Sequence, residues 1–268
     1  MSQNPFTENV VVLTGASSGI GRELAYQLAA RGAWLALAAR DRDRLEAVAD
    51  LCTHRSGRAL AVPTDVSDPA QCQQLIDRTV EEFGRIDTLI NNAGITMWAL
   101  FEDLQTLEPL ERIMQVNYFG SVYCTHAALP HLKKSQGRLV GIASLTAKSG
   151  VPTRSGYAAS KHAQLGFFDT LRIELASYSI SVTVAFPDFV NTEARMRAFG
   201  ADGKPLGESP VHESQVMQAD ECARLIIEGV ARRRREVVMG RGRLLQYLRP
   251  FIPTLIDRIA ARAIQQGR

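Results

Sequence analysis

Seven short apolar runs spaced along almost the whole chain constrain its fold more than any other feature. They lie at residues 10–13, 34–39, 59–62, 86–90, 139–143, 182–186 and 236–239. Segments with helical periodicity separate them, at 20–31, 41–55, 68–83, 106–132, 155–177 and 219–232. Strand-length runs that are apolar throughout are typical of a parallel sheet covered by helices on both faces. We therefore predict an α/β fold with one doubly wound parallel sheet of about seven strands.

The end of the periodic pattern suggests how the chain is divided. We assign residues 1–240 to a single domain, in which the long irregular stretch 188–217 covers a site, because so long a loop in a compact domain is usually functional. Residues 241–268 form an amphipathic extension. Its apolar stripe consists of Leu244, Leu248, Phe251, Leu255 and Ile259. The extension contacts either the protein itself or a neighbouring subunit, or else it meets a membrane interface through 244–264.

Charge and cysteine usage exclude some functions. Residues 232–268 carry a net charge of +8, which leaves −5 for the rest of a chain of +3. The basic run at 231–236 has no interleaved aromatic residues, so we expect no nucleic-acid binding. The four cysteines are far apart and form no metal-ligand pattern, and we predict no metal site. The N-terminus resembles no targeting peptide, so we expect a cytoplasmic protein, with peripheral membrane contact as the alternative.

A glycine-rich turn follows the first predicted strand and opens the first helix. In TGASSGIG, Gly15 allows a tight turn, Gly19 a close approach of the backbone to a pyrophosphate, and Gly21 close packing of helix on strand. A helix N-terminus at this place binds phosphate groups. The turn predicts a Rossmann-type dinucleotide site whose first contacts are Gly15, Ser17, Ser18, Gly19, Ile20 and Gly21.

The end of the second strand bears on the choice of dinucleotide. An acidic residue at this place binds the ribose hydroxyls of NAD, whereas an arginine accommodates the 2′-phosphate of NADP. Arg40 occupies this place and is followed by Asp41. We predict NADP(H) rather than NAD, while Asp41 could instead bind the ribose or begin the next helix.

Tyr157 and Lys161 stand four residues apart in SGYAASKHA. On a helix this spacing places both side chains on one face. A nearby cation favours the ionised form of a phenol, so we expect Lys161, together with an oxidised nicotinamide, to lower the pKa of Tyr157. Tyr157 then becomes a candidate general acid and base.

The motifs together resemble those of the short-chain dehydrogenase/reductase family over about residues 8–240. Besides the glycine turn, the chain has Asn91-Asn92-Ala93-Gly94 after the fourth strand and Asn117 on the long helix. Ser144 ends the fifth strand thirteen residues before Tyr157. Pro187 and Thr192 match the motif after the sixth strand, where the usual glycine is replaced by Asp188.

The resemblance implies a catalytic set of Asn117, Ser144, Tyr157 and Lys161. In the family, the serine bonds the substrate oxygen, the lysine holds the nicotinamide ribose, and the asparagine positions a water that links the lysine to solvent. Asp65 corresponds to a contact of the adenine amino group. The remaining cofactor contacts implied are Val66, Asn92, Ala93, Gly94, Tyr157, Lys161, Pro187 and Thr192.

These expectations describe an NADP(H)-dependent oxidoreductase that interconverts a carbonyl and a secondary alcohol. The substrate is a small molecule, and the aromatic residues Trp98, Phe101, Phe189 and Phe199, with Met196, favour an apolar, lipid-like or steroid-like one. Asp188 either shifts the loop or presents a carboxylate to the site. The alternative function is an NADP(H)-binding sensor or scaffold without turnover. The family also implies a homodimer or homotetramer built on the helices that contain Asn117 and Tyr157.

Overall fold

A seven-stranded parallel sheet forms the centre of the molecule. The computed structural model describes residues 4–55, 58–210, 216–240 and 251–265. The strands, in chain order, are β1 Val10–Thr14, β2 Trp34–Ala39, β3 Arg58–Pro63, β4 Thr88–Asn91, β5 Arg138–Ile142, β6 Ser181–Phe186 and β7 Glu236–Val238. Their order in the sheet is β3-β2-β1-β4-β5-β6-β7. The order reverses between β1 and β4, and ligands of such sheets bind outside the carboxyl ends of the strands at this point.

Helices connect the strands. They are α1 Gly19–Ala29, α2 Arg42–His54, α3 Pro69–Phe83, α4 Glu108–Met114, α5 Gly120–Ser135, α6 Ser155–Glu174 and α7 Ala219–Ala231. Asp68 caps α3 by accepting a bond from Ala70 N at 2.8 Å, ahead of Pro69 at the first helical position. This cap and proline suit a helix start, because the cap binds a free N–H and proline lacks one.

The side chains of the strands alternate between two buried layers, one on each face of the sheet. Val11 and Leu13 enter the layer formed with α1, α2 and α7, whereas Val10 and Val12 enter the layer formed with α3, α5 and α6. The four cysteines are buried free thiols. Cys52 and Cys222 lie in the first layer and Cys72 and Cys124 in the second.

The doubly wound parallel fold predicted from the apolar runs is confirmed. The helical segment predicted at 106–132 is present, but within it α4 and α5 are joined by a π-helical turn, Gln115–Phe119. Such a turn carries one residue more than an α-helical turn and is frequent at functional sites. Apolar periodicity does not reveal so local a change.

The described parts of 188–217 contain neither a regular helix nor a regular strand, as expected for a loop over the site. Isolated bridges join it to the body, from Met97 to Phe199 and from Val190 to Met217. A helix α8, Pro253–Gln265, follows in the extension. Leu244, Leu248 and Pro250 fall outside the described residues, and the division at 240 stays a prediction. In the described part of the chain, no helix has the length and apolar character to span a membrane.

Candidate active site

The glycine turn lies at the carboxyl end of β1 in the conformation that its glycines permit. Gly15 has φ +67° and Gly19 φ +54°, values that L side chains rarely adopt. A Cβ at Gly21 would lie 2.1 Å from the carbonyl oxygen of Gly15. The turn therefore tolerates no side chain where α1 begins, and it leaves a cradle in front of the helix N-terminus that suits a phosphate.

The Asn-Asn-Ala-Gly motif fixes this turn from the neighbouring strand. Asn92 Nδ2 donates to the carbonyl oxygens of Thr14 at 2.9 Å and Gly15 at 3.1 Å. Ala93 N donates to Thr14 Oγ1 at 3.0 Å. Asn92 thus binds two consecutive carbonyl groups at the start of the tight turn. The motif therefore holds the glycine turn in place through these hydrogen bonds.

A single cavity of about 1110 Å³ extends from the glycine turn to Tyr157. Every residue that we predicted as a cofactor contact lines it, and so does Ser144. Asn117 is fully buried behind the wall. The cavity and the glycine cradle fit a dinucleotide, whose phosphates the turn would hold.

At the end of β2, the structure distinguishes Arg40 from Asp41. Asp41 caps α2, where its Oδ1 accepts a bond from Arg44 N at 3.1 Å. Arg40 is exposed and lines the cavity. The carboxyl of Asp41 is therefore already engaged in a structural role, which leaves Arg40 as the charged group available to a ligand. Asp65 also lines the cavity, and its Oδ1 accepts from Ser67 N at 3.0 Å.

Ser144 and Tyr157 meet at the end of β5. Ser144 lies two residues beyond the strand and caps a short 3₁₀ turn, Leu145–Ala147. Burial raises the pKa of Tyr157, while the Arg154 guanidinium and a hydrogen bond from Ser144 lower it. In the protein alone burial outweighs both, so the phenol is the stable form. The lowering that we expect from Lys161 together with an oxidised nicotinamide stays a prediction. A protonated Tyr157 is suited to donating a proton.

Lys161 lies one turn beyond Tyr157 on α6 and is only 3% exposed. Its Nζ is 5.8 Å from the ring centroid of Tyr157, so the two predicted partners do share one face of the helix. Nζ donates to the carbonyl oxygen of Ile142 at 2.8 Å. Burial lowers the pKa of Lys161 to about 7, because a charged group loses its hydration in the interior.

Asn117 lies in the π-helical turn and holds the irregular segment that follows the Asn-Asn-Ala-Gly motif. Its Oδ1 accepts from Ile95 N at 2.9 Å, and its Nδ2 donates to Ile95 O at 3.0 Å. Nδ2 also donates to Ser160 Oγ at 2.9 Å, next to Lys161 on α6. The side chain of Asn117 therefore ties the cavity wall to the active-site helix.

The sequence analysis missed two buried residues beside this set, Arg154 and Gln164. Arg154 is 7% exposed, and its Nη1 donates to Thr96 Oγ1 at 2.6 Å. Its guanidinium lies 4.3 Å from the ring centroid of Trp98 and 5.6 Å from that of Tyr157. Burial lowers the pKa of Arg154 to about 10. Gln164 is fully buried and accepts a hydrogen bond from Lys161. No motif marks either position, because their roles depend on tertiary contacts.

The wall beyond Tyr157 is partly apolar, as expected, but its composition differs from the prediction. Phe189 and Phe199 line the cavity, and Trp98 packs behind Phe189 with ring centroids 6.4 Å apart. Phe101 and Met196 do not belong to the lining, and they are 63% and 41% exposed. Their apolar character did not reveal which way they face.

Asp188, which replaces the usual glycine, also lines the cavity. Its Oδ1 accepts from Phe189 N at 2.9 Å. A Cβ at Gly240 would lie 2.4 Å from its Oδ2, so the carboxyl group is packed against the chain beyond β7. Burial raises the pKa of Asp188. Among the residues that the structure describes, no cluster of side chains suited to a metal ion is found.

The comparisons with known proteins agree with this fold. The family model described as short chain dehydrogenase matches residues 9–202. The chain is 39% identical over 264 residues to 11-beta-hydroxysteroid dehydrogenase 1A of Arabidopsis thaliana, covering 94% of this chain and 75% of that protein.

Two solved structures have the same fold. A short chain dehydrogenase/reductase from Burkholderia phymatum in complex with NAD has a TM-score of 0.82 and 25% identity, over 96% of this chain and 97% of that one. An alcohol dehydrogenase from the archaeon Thermococcus sibiricus complexed with 5-hydroxy-NADP has a TM-score of 0.73 and 28% identity, over 86% and 95% of the two chains. With the matched family model and the identity over nearly its full length, the chain belongs to the short-chain dehydrogenase/reductase family of oxidoreductases.

Proposed function

We propose that this protein is an NADP(H)-dependent oxidoreductase that interconverts a carbonyl and a secondary alcohol on an apolar, steroid-like or lipid-like substrate. The observation that carries the proposal is the placement of Ser144, Tyr157 and Lys161 at one end of the cavity whose other end is the glycine turn. A bound nicotinamide dinucleotide supplies or accepts the hydride. The protein has to hold the substrate oxygen and move one proton.

Each of the three side chains has one task in this reaction. The Tyr157 hydroxyl donates its proton to the carbonyl oxygen in reduction and receives it in oxidation. Ser144 donates a hydrogen bond to the same substrate oxygen as negative charge develops there. Lys161 supplies positive charge that stabilises the phenolate left on Tyr157.

Tyr157→Phe tests the function, because it removes only the reacting hydroxyl. We expect kcat to fall by about 10²- to 10⁴-fold, the usual contribution of a positioned general acid. NADPH binding, followed by its fluorescence, should be nearly unchanged. The substrates are a panel of ketones and secondary alcohols that includes steroids and lipid-like compounds. A Tyr157→Phe variant with near-normal kcat on any wild-type substrate would exclude the proposed role.

NADP(H) is our proposed cofactor because Arg40 is free to meet a 2′-phosphate whereas Asp41 caps α2. Arg40→Ala should weaken NADPH about ten- to a hundredfold, since a hydrogen bond to a charged group is lost, and should leave NADH nearly unchanged. Arg42→Ala is the matched control, because Arg42 lies two residues further on and pairs with Glu46. Equal losses for NADPH and NADH would contradict the role of Arg40.

The steroid-like or lipid-like substrate class rests on two observations. The wall beyond Tyr157 contains Phe189 and Phe199, and the relative from Arabidopsis thaliana is named as a hydroxysteroid dehydrogenase. An apolar wall of this size offers area to a large apolar substrate. We expect kcat/KM to rise with the apolar area of the substrate across the panel. A preference for short polar ketones would contradict this class.

We further propose a homodimer or homotetramer built on α5 and α6. A partly exposed aromatic cluster lies there, with ring centroids 5.0 to 6.1 Å apart: Tyr118 and Phe119 in the π-helical turn before α5, Tyr123 on α5 and Phe167 on α6. Exposed aromatic clusters are typical of subunit interfaces. Light scattering at micromolar protein tests the proposal, and a strict monomer would contradict it.

The extension is proposed to pack on the protein or on a neighbouring subunit, in a cytoplasmic protein whose cysteines are free thiols. Phe251 and Leu255 are 81% and 50% exposed, so this part of the chain offers apolar area to another surface. A chain that ends at Gly240 should change in oligomer size. Flotation of the full-length protein with anionic liposomes would instead indicate peripheral membrane contact.

A further inference from the structure

Gln164 is a fully buried amide on α6, one turn beyond Lys161. A buried amide is costly unless each of its polar atoms has a hydrogen-bond partner. Gln164 lies at the contact of α6 with the π-helical turn and α5, away from the cavity surface. The amide is therefore explained by the hydrogen bonds that it makes.

The two ends of the Gln164 amide contact different parts of the site. Its Oε1 accepts a hydrogen bond from Lys161 Nζ at 3.0 Å. Its Nε2 donates to Ser121 Oγ at 2.8 Å and to the carbonyl oxygen of Asn117 at 3.2 Å. The amide therefore joins the lysine of α6 to the main chain of the π-helical turn, and both of its ends are in use.

The surroundings of Lys161 make this contact important. The strand β5 contributes only the carbonyl oxygen of Ile142, and among the described residues no carboxylate pairs with Lys161. The titratable groups near it are Tyr157 on its own helix and the guanidinium of Arg154, the residue before that helix. Lys161 Nζ lies 5.8 Å and Arg154 Cζ 5.6 Å from the ring centroid of Tyr157. In the described part of the chain, Gln164 is therefore the side chain that accepts a hydrogen bond from Lys161. An ammonium group has three protons, so one remains for a partner in the cavity.

We propose that Gln164 is a positioning residue for Lys161. The amide oxygen of Gln164 holds the Lys161 ammonium group in its charged form. The amide nitrogen of Gln164 keeps that oxygen in place through its hydrogen bond to the Asn117 carbonyl oxygen. The proposal rests on the proposed function, in which Lys161 supports Tyr157. An amide releases no proton at neutral pH, so the contact orients Lys161 and relays no proton.

The first test compares Gln164→Leu with Thr125→Val. Gln164→Leu keeps the apolar volume and removes the acceptor. Thr125→Val also removes a buried hydrogen-bond acceptor, the Thr125 hydroxyl to which Asn91 Nδ2 donates. Thr125 forms no hydrogen bond with Lys161. We expect Gln164→Leu to lower kcat by about tenfold or more, as for a lost hydrogen bond to a charged group. In this variant the rate of alcohol oxidation should begin to rise at a higher pH than in the wild type. Thr125→Val should lose thermal stability without changing the pH at which that rate begins to rise.

The second test needs no turnover, which separates this proposal from the proposed function. The chain contains five lysines, so the carbon signals of 13C-labelled lysine can be assigned with Lys161→Arg. In Gln164→Leu the titration midpoint of Lys161 should fall by about one pH unit or more relative to the wild type. Gln164→Met, which also lacks the amide, replaces Gln164→Leu if that variant does not fold. An unchanged midpoint, or kinetics like those of Thr125→Val, would overturn the proposal even if Tyr157→Phe were inactive.

Discussion

Arg154 places a permanent charge beside the phenol of the proposed reaction. Burial lowers the pKa of Lys161 to about 7, whereas the pKa of Arg154 falls only to about 10. At neutral pH the guanidinium therefore provides the more constant cation near Tyr157, where it lowers a pKa that burial raises. Trp98 and Tyr157 cover its faces, which compensates in part for its lost hydration.

Removing this charge should change the pH dependence of the reaction in one direction. In Arg154→Met the pKa of Tyr157 loses a lowering influence and rises. Alcohol oxidation needs the phenolate, so its kcat/KM should begin to increase only at a higher pH than in the wild type. Ketone reduction, which needs the phenol, should keep its rate up to a higher pH than in the wild type.

Two further variants separate charge from packing in this prediction. Arg154→Lys retains a cation, and its oxidation profile should lie nearer to that of the wild type. Thr96→Val removes the hydrogen-bond partner of Arg154 but leaves its charge, so the profile should stay in place. If Thr96→Val moves the profile as far as Arg154→Met does, the effect comes from a displaced wall and not from the guanidinium.

Among the elements, β5 and α6 determine how the site is assembled. Ser144 follows β5, and Tyr157 and Lys161 lie on α6. The two elements approach each other closely at Gly141, where a Cβ would lie 2.2 Å from the ring of Phe168. The distance between the serine and the tyrosine therefore depends on a strand residue without a side chain.

Two glycine-to-alanine substitutions test this arrangement. Gly141→Ala forces the Phe168 ring away and should lower the free energy of unfolding by about 1–3 kcal/mol, as for an overpacked core. It should also lower kcat, because α6 moves relative to Ser144. Gly166→Ala on the exposed side of α6 meets no atom within 4 Å and should stabilise the helix by about 0.5–1 kcal/mol. Urea unfolding and kcat measure both, and equal stabilities would contradict the packing argument.

The elements also explain which parts of the molecule the sequence could predict. The strands and the glycine turn were predictable because apolar runs and glycines carry local information, and the motif of Tyr157 and Lys161 has a fixed spacing on one helix. The π-helical turn was not, since it depends on how Asn117 meets Ile95 across the fold. Gln164 and Arg154 were also missed, because nothing local distinguishes a buried polar residue from an exposed one on the same helix.

At the scale of the whole molecule, the sheet separates two cores that could lose their packing together or one at a time. Each core contains two of the cysteines, all of them buried. Burial raises the pKa of Cys52 and of Cys222 to about 12, so neither forms the reactive thiolate while the fold is closed. A thiol reagent can then react only through an opening of the structure.

The cysteines therefore act as built-in reporters of cooperativity, with no label added. In sub-denaturing urea at pH 8, with an aromatic disulfide reagent in excess, each protein thiol that reacts releases one aromatic thiolate. We expect all four thiols to react in a single kinetic phase, because both cores share the same seven strands. The matched variants Cys52→Ser with Cys222→Ser, and Cys72→Ser with Cys124→Ser, should then show equal rates. Two phases of two thiols each, divided between these pairs, would mean that one side of the sheet opens while the other stays closed.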